Sequence, residues 1–266
     1  MKGKTIILLL ILYSGIFTGC RKFYQESGWH ATPIPIRDKY GNYRAYLLYL
    51  PTNYESSNSL VIYYAGSDCS NTPDYFGNNP EDMVFFADYA EKYNFIFAVP
   101  YPEYTYTHME RTCTGWVIDK EIDFIEEMID AVSTRIMPAP DPEIYDLGLS
   151  AGAFMAYYHA YLNNDRVKGV FSHGKGSEHL KEMIQDPSLI GWRLGLAHNR
   201  HDYPNIIQLM DEDYEYYMMA GIDVKIWKDC DDNRHSWSIE KTEEYLEYLF
   251  YGSQPAESKQ KKLNKD

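Results

Sequence analysis

The sequence is poor in positive charge and cysteine, and it lacks an apolar run long enough to span a bilayer. Lys and Arg total 25 against 39 Asp and Glu, which gives a net charge of −14. This excess of carboxylates argues against nucleic acid or an anionic lipid surface as a partner. The apolar run at residues 6–12 falls short of the roughly twenty residues that a membrane helix needs, and no later run is longer.

Apolar and aromatic side chains, by contrast, are plentiful. Hydrophobic residues make up 45% of the 266, enough for a sizeable core. The 26 tyrosines exceed what core packing requires, so some are expected on surfaces or in a cleft. We expect one α/β domain at residues 40–251, preceded by an N-terminal linker at residues 20–39. Residues 252–266 turn to Ser, Gln, Pro and Lys, which predicts a disordered tail.

The N-terminus has the pattern of an export signal. Lys2 and Lys4 precede the apolar run, and small residues follow it. Residues 18–20, Thr-Gly-Cys, resemble a bacterial lipobox, in which the Cys receives a diacylglyceryl group and becomes the new N-terminus. We therefore expect residues 1–19 to be a lipoprotein signal peptide and Cys20 to anchor the protein to a membrane of the cell envelope. An ordinary cleaved signal peptide with a chance Cys is the alternative.

Three cysteines remain after Cys20, an odd number for an oxidising compartment. One disulfide and one buried thiol is the simplest arrangement. Cys69 and Cys113 both fall in loops expected near the site described below, so we pair them and leave Cys230 free. Three free thiols are the alternative.

From residue 42 onward, strand and helix patterns alternate. The predicted strands are residues 42–50, 60–64, 95–99, 144–149, 167–172, 192–197 and 224–227. The predicted helices are residues 81–93, 118–136, 151–162, 178–184, 205–219 and 238–250. The first two strands are expected to form a hairpin-like pair. The alternation that follows favours a mostly parallel sheet with helices on both faces.

Residues 148–152, Gly-Leu-Ser-Ala-Gly, form a G-x-S-x-G pattern where a predicted strand meets a predicted helix. The glycines remove side chains that would collide in so sharp a turn, so the hydroxyl of Ser150 projects from the sheet edge. The helix N-terminus brings N–H donors and a positive dipole end to a developing oxyanion. Ser150 is therefore the predicted nucleophile, with an idle serine in a glycine turn as the alternative.

A serine hydroxyl needs an imidazole to take its proton and a carboxylate to orient that imidazole. Asp202 follows the predicted strand before last and His235 follows the last one, which is the chain order Ser, acid, His. We predict this triad, working without metal or organic cofactor. The spacing of His198, His201 and Asp202 matches no recognised metal motif. The carboxylates at residues 211–213 are competing acids, but they fall inside a predicted helix.

Three segments resemble the α/β-hydrolase family of secreted feruloyl esterases and polyhydroxybutyrate depolymerase-like esterases, over about residues 40–250. Those proteins carry G-L-S-N-G-G at the nucleophile, H-G-x-x-D at the acid and G-H-x-W at the histidine. Here Gly-Leu-Ser at residues 148–150, His198 with Asp202, and His-Ser-Trp at residues 235–237 follow in the same order. The resemblance implies an α/β-hydrolase fold and ester hydrolysis.

The chain departs from that family where an oxyanion loop is expected. The family's His-Gly is replaced by Ala-Gly-Ser at residues 65–67, and glycine is also lost at Asn199 and Arg234. The glycine that remains still lets the turn form. Because the oxyanion donors are backbone groups, the amides of Ser67 and Ala151 are the predicted pair.

The predicted substrate is an ester on a bulky alcohol. Predicted helices and strands fill the stretch between Ser150 and Asp202, so no cap domain is expected and the cleft is open. Trp116 and Trp237 are the predicted substrate-binding aromatics, with core packing as the alternative. The resemblance points to feruloyl or acetyl groups on a polysaccharide. A serine peptidase of the same fold is one rival, and an inert surface lipoprotein that binds glycans is another, favoured by the replacement at Ala65.

The lipid anchor can be tested by changing Cys20 to Ser. The variant cannot accept the lipid, so it should be released from membranes or retain its leader. Fractionation of cells that express the wild type and Cys20→Ser measures this difference. A wild type found wholly in the soluble fraction would contradict the prediction.

Overall fold

The structure, a computed structural model, describes five segments of the chain. They are residues 26–69, 76–108, 110–137, 141–184 and 186–253. The predicted signal peptide, Cys20 and nearly all of the predicted tail lie outside them. No helix in these segments is both long and apolar enough to cross a membrane.

A central sheet of eight strands organises the chain. Its members are β1 (Gly28–Ala31), β4 (Tyr46–Leu50), β5 (Ser59–Tyr64), β7 (Ile96–Pro100), β10 (Glu143–Leu149), β11 (Val167–His173), β12 (Arg193–Ala197) and β13 (Val224–Trp227). Their spatial order is β1-β4-β7-β5-β10-β11-β12-β13. The six strands from β7 to β13 run parallel, and β4 and β1 add an antiparallel edge. The sheet is therefore mostly parallel, as the alternation of strands and helices predicts.

Helices cover both faces of this sheet. They are α1 (Phe86–Tyr93), α2 (Ile118–Arg135), α3 (Ala151–Leu162), α4 (Glu178–Met183), α5 (Pro204–Met219) and α6 (Thr242–Tyr251). One core layer contains Phe124 of α2 and Met155 of α3. The other contains Phe86 of α1 and Leu246 of α6. The two apolar faces of the parallel strands are thereby both buried, as expected for this class.

Two smaller sheets accompany the central one. Strands β2 (Ile36–Arg37) and β3 (Tyr43–Arg44) pair antiparallel. Strands β6 (Asp68–Cys69), β8 (Tyr104–His108) and β9 (Arg111–Gly115) form a sheet in the order β6-β9-β8. The sequence analysis does not predict the β6-β9-β8 sheet, because its strands are short and polar on one side.

Two sequence-based expectations for the N-terminal part are wrong. Residues 20–39 are not simply a linker, because β1 pairs with β4 and β2 pairs with β3. The first two predicted strands do not pair with each other, because β7 lies between β4 and β5 and bonds to both. This interior position removes both faces and both edges of β7 from water. Every residue of β7 is accordingly buried.

The register of four parallel strands decides where the loops meet. Leu149, His173, Ala197 and Trp227 stand side by side at the carboxyl ends of β10 to β13. Neighbouring strands lie about 4.8 Å apart, so the segments that follow these residues leave the sheet along one edge. The three predicted catalytic residues all belong to those segments.

Candidate active site

Ser150 lies in a strained turn between β10 and α3. Its backbone has φ 53° and ψ −119°, in the left-handed half of the map where a side chain is disfavoured. Its side chain makes no capping hydrogen bond to α3. This geometry is the one expected of a serine nucleophile held at a strand-to-helix turn.

Close packing enforces the two glycines of the motif. A Cβ on Gly148 would lie 2.4 Å from the backbone nitrogen of Ala153. A Cβ on Gly152 would lie 1.9 Å from the carbonyl oxygen of Tyr64. Both obstacles are backbone atoms, which cannot rotate away as a side chain could. The turn therefore brings the N-terminus of α3 directly against the end of β5.

This packing places the two predicted oxyanion donors on either side of the Ser150 turn. Ala151 is the first residue of α3, so its N–H has no carbonyl four residues earlier in the helix to bond. Ser67 follows Gly66, where a Cβ would lie 3.4 Å from the carbonyl oxygen of Leu149. The backbone that carries these two predicted donors therefore approaches the turn of Ser150 from β5 and from α3.

Side chains from the β6-β9-β8 sheet and its exit hold the oxyanion loop. Trp116 donates from Nε1 to the carbonyl oxygen of Ala65 at 2.7 Å. The hydroxyls of Tyr106 and Ser67 are hydrogen-bonded at 2.6 Å. Ala65 itself is completely buried, so no side chain there is needed to close the turn.

Asp202 and His235 form a hydrogen-bonded pair. Nδ1 of His235 donates to Oδ1 of Asp202 at 2.8 Å, since an ionised carboxylate can only accept. The same Oδ1 accepts from the backbone N–H of Tyr203 at 2.8 Å. His235 is 7% exposed and Asp202 is 4% exposed. The proton on Nδ1 leaves Nε2 as the basic nitrogen of the imidazole.

The end of β11 brings this pair to the nucleophile. The backbone N–H of Ser150 donates to the carbonyl of His173 at 2.9 Å. At the next residue, Gly174, a Cβ would lie 2.9 Å from Cε1 of His235 and 3.2 Å from Oδ2 of Asp202. Ser150, Asp202 and His235 therefore converge on the same two residues of β11 and its exit.

A buried asparagine ties the acid loop to the histidine loop. Nδ2 of Asn199 donates to the carbonyls of Arg234 and Ser236, each at 2.8 Å. These carbonyls lie on either side of His235, so one amide group fixes the backbone that carries the imidazole. Asn199 is fully buried. In the sequence it stands out only as a lost glycine, and no motif indicates this role.

His173 is a site neighbour that the sequence analysis does not identify. Burial lowers the pKa of its imidazole to about 3, so the ring is neutral near neutral pH. Neither ring nitrogen has a hydrogen-bond partner among the described residues. The ring packs on Trp237, with centroids 5.5 Å apart. His173 therefore adds no positive charge beside His235. Its one signal in the sequence is its place just after a predicted strand.

The expectation that Trp116 and Trp237 line the substrate cleft is wrong. Their exposed fractions are 6% and 2%. Trp237 donates from Nε1 to Oγ1 of Thr242 and contacts the aromatic core, with Tyr63 at a centroid distance of 5.2 Å. Both indoles are therefore core residues, and Trp116 also bonds the loop at Ala65. Burial of so large an apolar surface stabilises the fold.

A disulfide links the strand after the oxyanion loop to β9. Cys69 and Cys113 are register partners, and their Sγ atoms are bonded at 2.06 Å. This is the pairing that the sequence analysis proposes. Cys230 is a buried free thiol, and burial raises its pKa to about 11, so it is not a reactive thiolate.

The histidines beside the acid do not form a metal centre. His198 is buried, and its Nε2 lies 3.9 Å from Oδ1 of Asp211. His201 is exposed on the surface. Across the described ranges, no group of three or more His, Cys, Asp or Glu is arranged to hold a metal ion.

Comparison with protein-family models and with curated proteins finds no match. Among solved structures, the chain is similar to a fluorophosphonate-binding serine hydrolase of Staphylococcus aureus, with 10% identity, a TM-score of 0.60 and coverage of 86% of this chain and 100% of that one. It is also similar to a Pyrobaculum calidifontis esterase, with 13% identity, a TM-score of 0.56 and coverage of 92% and 91%.

A third similar structure is a candidate dipeptidyl aminopeptidase IV of Bacteroides ovatus, with 14% identity and a TM-score of 0.57. The match covers 86% of this chain and only 36% of that one, so the chain spans about a third of that protein. Together these likenesses show that the chain has the α/β-hydrolase fold, which confirms the predicted fold class.

The packing at Gly152 predicts a large cost for one methyl group. Gly152→Ala must displace the end of β5, so it should lower the free energy of unfolding by about 1–3 kcal/mol or more. Thermal or urea unfolding measures the change. Gly191→Ala is the matched control, since its nearest non-neighbour atom lies 3.3 Å away on an exposed loop. Equal stabilities of the two variants would contradict the prediction.

Proposed function

We propose that this protein is a serine hydrolase that cleaves carboxylic esters. The observation that carries the proposal is the 2.8 Å hydrogen bond between Asp202 and His235, set beside the strained turn of Ser150. The pair orients an imidazole whose second nitrogen, Nε2, is the basic one in this tautomer. The similar structures include esterases and serine hydrolases, which favours the same chemistry at the level of the fold.

The reaction follows from the roles of these groups. Oγ of Ser150 attacks the ester carbonyl carbon while its proton passes to Nε2 of His235. The amides of Ser67 and Ala151 stabilise the negative carbonyl oxygen, and Asp202 stabilises the imidazolium. His235 then gives the proton to the leaving alcohol as its C–O bond breaks. Water attacks the acyl-serine in the same way and releases the acid.

The finer proposal is a lipid-anchored enzyme of the bacterial cell envelope that removes acyl or feruloyl groups from polysaccharide. The lipobox-like segment at residues 18–20 and the resemblance to feruloyl esterases support it. The rim of the site offers one exposed ring, Tyr203, which is 47% exposed and lies 5.4 Å from His235 between ring centroids. Such a ring can stack on a sugar or an aryl group.

Reaction with a fluorophosphonate probe tests the activation of Ser150. The probe forms a bond only with a serine whose hydroxyl is deprotonated by a base, so the wild type should be labelled. Ser150→Ala should not be labelled. In-gel fluorescence and mass spectrometry of the labelled peptide measure this. A folded wild type that stays unlabelled would favour the inert glycan-binding protein instead.

Asp202→Asn is the matched variant in the same assay. The amide has nearly the same shape but can hold the wrong imidazole tautomer, so labelling and ester turnover should fall by roughly 10²–10⁴-fold. Circular dichroism checks that the fold is retained. Turnover close to that of the wild type would show that the acid has been misassigned.

The length of the acyl group tests the substrate proposal. Between Ser150 and Asp202 the described residues contain α3, β11, α4, a 3₁₀ helix at Pro187–Leu189 and β12. These elements fill the stretch in which a cap domain would otherwise lie, so the cleft is expected to be open. Long fatty acyl chains need a deep apolar tunnel instead. We therefore expect a higher kcat/KM for acetyl and feruloyl esters than for esters of long fatty acids. Steady-state kinetics on an ester series measures it. A preference for long chains, or for peptide bonds over esters, would overturn this choice.

A further inference from the structure

A groove of about 750 Å³ opens beside Asp202 of the catalytic pair. Its lining includes Asp202 itself and the start of α5, with Tyr203, Pro204 and Ile207 as its apolar part. The polar part of the lining comes from the two loops that Asn199 ties together. Its volume falls within the range that ligand sites usually have.

The exposed charged side chains that line the groove are two guanidiniums and one carboxylate, whereas the protein as a whole is strongly acidic. Arg200 lines it and pairs with Asp232, with 2.7 Å between Nη1 and Oδ1. Arg234 also lines it and is exposed, and across the described segments it forms no ion pair. The N-terminus of α5 adds the positive end of a helix dipole. His201 completes the basic groups of the lining.

Two residues of the lining carry carboxylates. The side chain of Asp202 is completely buried, and its Oδ1 accepts from His235 and from the backbone of Tyr203. Asp232 is held by Arg200. The guanidinium of Arg234 is therefore the group left to bind an anion, and its planar fork suits a carboxylate. Because the other exposed guanidinium is already paired with Asp232, the single guanidinium of Arg234 favours a ligand with one negative charge.

The position of the groove indicates which half of the ester it contacts. In the proposed reaction the carbonyl oxygen points to the amides of Ser67 and Ala151, and His235 protonates the leaving alcohol. Tyr203, which lines the groove, lies 5.4 Å from His235 between ring centroids. We therefore place the alcohol half of the substrate nearer to the groove than the acyl half.

Resting on the proposed function, we infer that the groove is a carboxylate-binding subsite, and that the preferred substrates are esters whose alcohol half is an acidic sugar or another hydroxy acid. Arg234 is its specificity-determining residue. The position that departs from the glycine of the resembled family thus supplies the group that recognises the substrate.

The test compares two acetyl esters that differ only at C6 of the sugar, which is a carboxylate in one and a hydroxymethyl group in the other. They are the methyl glycosides of O-acetylated galacturonic acid and O-acetylated galactose, acetylated at the same hydroxyl. A charge-assisted hydrogen bond should make kcat/KM for the acidic sugar higher by roughly tenfold or more. Added salt should reduce this preference, because the groove is open to solvent.

Variants of Arg234 test whether this residue causes the preference for the acidic sugar. Arg234→Gln should bring the ratio of the two kcat/KM values close to one, and Arg234→Lys should keep part of it. The Gln variant is expected to fold, because Asn199 bonds the carbonyl of residue 234 and not its side chain. Arg37→Gln is the control, since Arg37 is exposed, bonds to Tyr43 and belongs to the β2-β3 sheet. It should leave both rates unchanged.

A second pair of esters separates the two halves of the substrate. The pair is 4-nitrophenyl butyrate and 4-nitrophenyl hemisuccinate, in which the charge lies on the acyl half. Arg234→Gln should not alter their ratio. An effect confined to this pair would overturn the placement on the alcohol half. A wild type that cleaves esters without any preference for the acidic sugar would overturn the subsite and leave the proposed function standing. A wild type that neither cleaves esters nor reacts with the fluorophosphonate would overturn both.

Discussion

The alignment of four parallel strand ends is the constraint on which the site depends. Leu149, His173, Ala197 and Trp227 are register partners in sequence along the sheet. Backbone hydrogen bonds between parallel strands set this level, and a slip by one residue would turn every side chain to the other face. Because the strands end together, the nucleophile turn, the acid loop and the histidine loop leave the sheet within reach of one another.

The turn at Ser150 places the predicted nucleophile directly after the end of β10. Its positive φ is disfavoured for a serine, and the surrounding packing has to compensate for that strain. The close approach of Gly152 to the carbonyl oxygen of Tyr64, at the end of β5, holds the turn that carries Ser150 and Ala151. A methyl group at Gly152 would disturb this turn.

Hydrogen bonds between two loops hold Asp202 and His235 in place. Asn199 bonds the carbonyls on both sides of His235, and Gly174 leaves room for the imidazole. The side chains of Asn199 and Arg234 differ in their surroundings. Asn199 is buried and bonds the histidine loop, and Arg234 is exposed in the groove.

The order of strands and helices, and the positions of Ser150, Asp202 and His235 at strand ends, follow from the sequence alone, because hydrophobic periodicity and the G-x-S-x-G turn are local signals. The place of β7 between β4 and β5 and the strand at Gly28–Ala31 were decided by tertiary structure, since pairing partners depend on burial of the whole sheet. The same holds for side chains. Composition cannot tell a tryptophan in a cleft from one in a core, and only packing buried Trp116 and Trp237, left Arg234 exposed and brought Asn199 against the histidine loop.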